Sequence, residues 1–120
     1  MQLALASKNR YANLISIRRP SLELSSKQKK YLKGLAHNLK PIVYVGQNGA
    51  NKGVLNEIDN TLRVHELIKI RIRCDDQEEL QSVLKDIEDQ TQAALVQVIG
   101  HTVVFYREAD EPQIVLPDPS

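Results

Sequence analysis

A chain of 120 residues, 42% hydrophobic and 26% charged, holds apolar material for one core and none to spare for a second. Its single cysteine, Cys74, excludes an internal disulfide, and its longest apolar run, LVQVIGHTVVFY, is broken at Gln97 and Gly100-His101, short of the roughly 18 residues that cross a bilayer. The net charge of +1 conceals a division: residues 1–74 hold 14 Lys/Arg and 4 Asp/Glu (+10), residues 75–120 hold 2 and 11 (−9).

Residues 1–22 contain no acid, and Lys8, Arg10, Arg18 and Arg19 are their only charges. They read as a basic, flexible N-terminal extension closed by Pro20; an organelle transit peptide or an upstream start codon would look the same, whereas LALA is too short for a secretory signal. Ser25 and Gln28 then have capping-box spacing and predict a helix start. At 100° per residue, Tyr31, Leu32, Leu35, Ala36 and Leu39 fall on one side, which is expected to face inward. Lys29, Lys33 and Lys40 form a narrow arc beside that stripe, with Lys30 and His37 adjoining. Pro41 ends the helix.

IVYV (42–45) reads as a short strand buried on both faces. After the turn Gly46-Gln47-Asn48-Gly49, Val54, Leu55, Ile58 and Leu62 recur at helical spacing to about His65. LIKIRIRC (67–74) is the clearest strand: Ile68, Ile70, Ile72 and Cys74 point one way, and Lys69, Arg71 and Arg73 the other. Residues 76–91 predict a third helix with Leu80, Val83, Leu84 and Ile87 inward and acids outward. Strands at about 94–99 and 102–107 flank Gly100-His101, a tight hairpin sequence. The order is helix, then β-α-β-α-β-β, an α/β (α+β) fold with a mixed sheet whose strand order the pattern leaves open. The proline-broken acidic end is expected to lie along the surface or fray.

A strand entering a helix through Gly-x-x-Gly gathers backbone N–H groups and the positive end of a helix dipole where no side chain blocks approach, which suits a phosphate. Neither the P-loop signature nor the dinucleotide fingerprint is present. Lys52, where a helix start usually carries an acid, favours an anion from outside. The bland alternative is a turn needing positive φ at both glycines. Lys69, Arg71 and Arg73 on one strand face repel one another unless solvent or a partner's anions separate them. Against them stands the reading of a solvated sheet face, and against the lysine arc that of a solvated helix face. The polarised composition suggests a polyanionic partner, unless the halves interleave on folding into ordinary surface pairs.

Catalytic chemistry finds little footing. His37, His65 and His101 are scattered without a ligand at zinc spacing. Cys74 ends an apolar strand face next to Asp75 and Asp76, which raise a thiol pKa. No nucleophile–base set, metal site or cofactor is predicted, and no small-molecule substrate.

The segments KYLKGLAH at 30–37, GQNG at 46–49, ELIK at 66–69 and the Ile-Gly…Tyr-Arg end at 99–107 closely resemble the CRM domain, named for chloroplast RNA splicing and ribosome maturation, in its stand-alone bacterial YhbY-like form. The resemblance covers about residues 24–116. It implies a four-stranded mixed sheet with flanking helices, similar to the C-terminal domain of translation initiation factor three. It also implies RNA binding without catalysis, in association with precursors of the large ribosomal subunit.

The expected organisation is an extension at 1–22, an RNA-binding domain at 23–116 and a tail at 117–120, in a soluble cytoplasmic protein. The expected RNA contacts are Gly46, Gln47, Asn48, Gly49 and Lys52, flanked by Lys29, Lys30, Lys33, Lys69, Arg71 and Arg73. With no tryptophan and 4% aromatic residues, recognition is expected to follow RNA shape rather than stacked single bases. The rival reading is a module whose basic half holds an acidic protein.

Overall fold

In the computed structural model, which describes residues 23–120, the predicted capping box forms. The Gln28 amide donates to the Ser25 hydroxyl at 3.1 Å, and the Ser25 amide donates to the Gln28 side chain at 3.1 Å. These bonds satisfy helix-start donors that have no partner within the helix. They set the start of α1 (Ser26–Ala36). The chain continues through β1 (Pro41–Val45), α2 (Lys52–His65), β2 (Leu67–Ile72), α3 (Gln77–Thr91), β3 (Ala94–Ile99) and β4 (Thr102–Tyr106). The basic extension expected at residues 1–22 lies outside the described residues.

The strands form one mixed sheet in the order β1-β2-β4-β3. β1 and β2, joined through α2, run parallel; β4 is antiparallel to both of its neighbours, β2 and β3. The hairpin between β3 and β4 turns at Gly100, whose φ of +59° a side chain rarely adopts; His101 has no such need. A positive φ at the first turn residue alone is the type II′ pattern of a Gly-x loop.

Helices cover the sheet unequally, and this decides where function can sit. On one face, α2 and α3 bring Ile58, Leu62, Leu80, Val83, Leu84 and Ile87 against Val43, Val45, Ile68, Ile70, Ile72, Val103 and Phe105. Each aliphatic side chain removed from water here contributes about 1.5–3 kcal/mol. On the other face, α1 lays Leu32 and Ala36 over Leu67, Val96, Val104 and Tyr106, and Leu24, Ile114 and Leu116 close its flanks.

Two expectations are corrected. The inward stripe of α1 is narrower than predicted: Leu32, Ala36 and Gln28 are buried, while Tyr31, Leu35 and Leu39 stand exposed. One helix resting on a sheet presents a single ridge, so Tyr31 and Leu35, about 60–100° around the helix from Leu32, remain in solvent, and Leu39 lies beyond the end of α1. β1 is not buried on both faces either. It is an edge strand whose Val43 and Val45 enter the core while Ile42 and Tyr44 face water, because α1 packs over β2 and β3 and not over β1.

The chain after β4 is tied back rather than frayed. Glu66, 2% exposed, takes the amide protons of Ala109, Gln113 and Ile114 on its carboxylate at 2.9–3.2 Å. Its backbone carbonyl accepts from the Arg107 amide at 2.9 Å. The Gln28 side-chain amide donates to the Pro117 carbonyl at 3.1 Å. Arg107 fastens the other side, donating to the Asp59 carboxylate and backbone carbonyl and to the Thr91 carbonyl. Of the sequence segments singled out above, Glu66 in ELIK and the terminal Tyr106-Arg107 therefore hold the fold together.

Candidate nucleic-acid interface

The glycine loop links the C-terminal end of β1 to α2. The Gly49 amide donates to the Gly46 carbonyl at 3.0 Å, closing a β-turn centred on Gln47 and Asn48. The Asn51 amide donates to Gly49 at 2.9 Å, and the Asn51 side chain caps α2 by accepting from the Val54 amide at 3.0 Å. Among the described residues, the amides of Gln47, Asn48, Ala50, Lys52 and Gly53 find no hydrogen-bond partner. They lie beside the start of a 14-residue helix with no acid in its first turn. That is the donor set an anion needs.

The two glycines differ. Gly49 sits at φ +71°, and a Cβ there would meet the Val83 side chain on α3 at 4.0 Å. Gly46 has no positive φ, and a Cβ there would meet nothing within 4 Å. The backbone of the described chain thus requires glycine at the end of the turn but not at its start.

The cation row of β2 leads to this loop. Lys69 is half-buried and Arg71 and Arg73 are exposed on the face opposite Ile68, Ile70 and Ile72. Arg71 pairs across the sheet with Tyr44, and the Arg73 amide donates to the Val45 carbonyl at 2.9 Å, one residue before Gly46. At its other end the row meets α1. Lys33 and His37 line a groove of about 440 Å³ with Lys69, Gln97 and Ile99. Lys33, Lys69, Arg71 and Arg73 thus run along one side of the molecule from α1 to the loop.

The remaining cations are placed differently. Lys29 lines a separate groove with Glu23 and Glu88. Lys30 is exposed on α1. Lys52 lines a cleft with Asp59 and Gln90, between α2 and α3. Among the described residues, the ion pairs join Arg63 and Arg107 to Asp59 and Lys85 to Asp89, so no carboxylate neutralises the row from Lys33 to Arg73.

Acids collect on the opposite layer. α1 contains four lysines and no acid, while α3 contains five acids and one lysine. The two halves meet at the Arg107–Asp59 pair and where Lys29 and Glu88 line one groove, but among the described residues no ion pair joins a lysine of α1 to an acid of α3. Near the loop, Asp76 accepts from the Glu79 amide at 2.8 Å and Glu79 from the Asp75 amide at 2.8 Å, so both carboxylates are engaged in capping α3. Burial, and then the charges of Glu79, Asp76 and Asp75, push the Cys74 thiol pKa up, which keeps it protonated and unreactive near neutrality.

Sequence reasoning passed over Tyr44, Gln97 and Ile99, which share the exposed face with the cations. Tyr44 lay inside an apolar run, and only the strand order makes β1 an edge; Gln97 and Ile99 meet the row only through the path of β4.

Residues 24–107 match the family model described as the CRS1 / YhbY (CRM) domain. A Haemophilus influenzae protein named "RNA-binding protein" is 51% identical over 94 residues, covering 78% of this chain and 95% of its own. The Bacillus subtilis "Probable RNA-binding protein YqeI" is 38% identical over 95 residues, covering 78% and 99%. A solution structure of a hypothetical Staphylococcus aureus protein, proposed to bind RNA, superposes with a TM-score of 0.70 at 40% identity and covers 79% of this chain and all of that one.

Proposed function

The chain belongs to the CRS1 / YhbY (CRM) domain family, and from that membership we propose that it is a non-catalytic RNA-binding protein acting in the cytoplasm on large-ribosomal-subunit precursors. RNA phosphates dock on the exposed amides of the Gly46–Gly49 turn and the start of α2. Lys33, Lys69, Arg71 and Arg73 flank them, and Lys29, Lys30 and Lys52 form an outer ring reached by a larger RNA. Phosphate contacts of this kind fix position and leave sequence largely unread. The family and the relatives' names are those of binding proteins rather than enzymes.

The observation that carries this reading is the un-neutralised cation row ending at a glycine, Gly46, that the described fold does not itself need. A side chain at Gly46 would stand where the phosphate is proposed to lie. Gly46→Leu is therefore expected to melt like the wild type while its affinity for a ribosomal RNA fragment, measured by fluorescence anisotropy, falls about tenfold or more, equivalent to ~1.4 kcal/mol. Unchanged affinity in a folded variant would reduce the loop to a simple turn. For the cellular role, RNA crosslinked to the protein in growing cells is expected to come chiefly from large-subunit ribosomal precursors. RNase treatment of an extract should release the protein from those particles; a complex with an acidic protein would survive it.

A further inference from the structure

The register of the sheet places four residues in one cross-strand row on the α1 side. Tyr44 of β1 pairs with Arg71 of β2, Arg71 with Thr102 of β4, and Thr102 with Ile99 of β3. Directly paired residues point to the same face. α1 covers the adjoining part of the sheet, where Val104 is buried, and leaves this row open: Tyr44 is 65% exposed and Ile99 58%. The next row contains Lys69, and Lys69 and Ile99 both line the groove that includes Lys33 and His37. An aromatic ring, an aliphatic contact and several cations therefore share one surface continuous with the phosphate row.

Composition argued against base stacking because aromatic residues are few, but one ring suffices where the fold exposes it beside a cation. We propose, resting on the RNA-binding reading above, that Tyr44 stacks an unpaired base of the bound RNA, with Arg71, Lys69 and Lys33 holding the phosphates on either side of that nucleotide. Charge selects this occupant. No acid stands in the row, and no described carboxylate pairs with its cations, so an anionic chain that also carries flat apolar rings fits where a neutral apolar peptide would leave the cations unanswered. An unpaired base also has faces free to lie on tyrosine, whereas a base inside a helix has both faces occupied.

The test uses the full chain and two RNA probes: a stem-loop with an unpaired uridine-rich loop, and the same stem as a blunt duplex. Tyr44 contributes nothing to the core, so Tyr44→Ala should keep its melting temperature, which is checked first; Tyr44→Phe retains the ring and controls for the hydroxyl. The expected result is a loss of stem-loop affinity of about 5- to 100-fold in Tyr44→Ala, the range of one lost stack, with duplex affinity unchanged and Tyr44→Phe close to wild type. Equal affinity of Tyr44→Ala and wild type for the stem-loop would overturn the proposal and leave the open row to solvent or a protein partner. An equal loss on both probes would overturn it as well, since stacking requires a free base. If the wild type binds neither probe, the RNA-binding reading fails first and takes this proposal with it.

Discussion

Glu66 shows how a charged residue can belong wholly to the fold. Its φ and ψ of +69° and −52° lie in a region side chains rarely enter, at a cost of order 1–3 kcal/mol. The compensation is a carboxylate with three backbone amide partners from the C-terminal segment. Replacing Glu66 by Ala keeps the strained backbone and orphans those donors, and is expected to lower unfolding stability by about 3–4 kcal/mol in urea denaturation. Glu66→Gly orphans the same donors but relieves the backbone, so it should be the milder variant by about 1 kcal/mol. The reverse order would mean that the conformation is not strained. The two loop glycines separate by similar logic: Gly49→Ala should cost about 1 kcal/mol through its positive φ, and Gly46→Ala close to nothing. The presence of a glycine turn was legible in the sequence, but which glycine the backbone requires was not, because φ is set by the path from β1 into α2. Glu66 gave no warning either, since its partners lie more than 40 residues away along the chain.

Secondary structure was the most readable layer. The capping box at Ser25, the alternation of β2, the acid-rich start of α3 and the Gly100-His101 hairpin each depend on neighbours within a few residues, and each stands where predicted. Expectations failed where an element's surroundings decide. β1 has the composition of an interior strand and occupies an edge, and α1 has an apolar stripe broader than the surface it covers. Part of that surface comes from the C-terminal segment, whose Ile114 and Leu116 join Leu32 and Ala36. Removing residues 113–120 is therefore expected to loosen α1 in particular. In hydrogen exchange its amides should lose protection, while those of β2 and β4 keep theirs. Unchanged protection in α1 would show that the segment merely rests on the surface.

For the whole molecule, sequence gave the charge imbalance but not its arrangement, since segregation depends on α1 and α3 lying on opposite sides of the sheet. With the basic layer and the acidic α3 opposed, a polyanion is drawn to one side and turned away from the other. Four phosphate contacts, at Lys33, Lys69, Arg71 and Arg73, correspond to a slope of about −3 in log affinity against log salt concentration. Arg71→Gln should make that slope shallower by about 1. A titration series in which the variant keeps the wild-type slope would remove Arg71 from the phosphate contacts.

The bond from Gln28 to Pro117 joins residues 89 positions apart. A chain made from its N-terminus produces α1 well before the segment that clamps it. Until Pro117 has emerged from the translating ribosome, the helix bearing Lys33 lacks its final support, so a nascent chain should acquire full affinity for its target only after that segment is free to fold back.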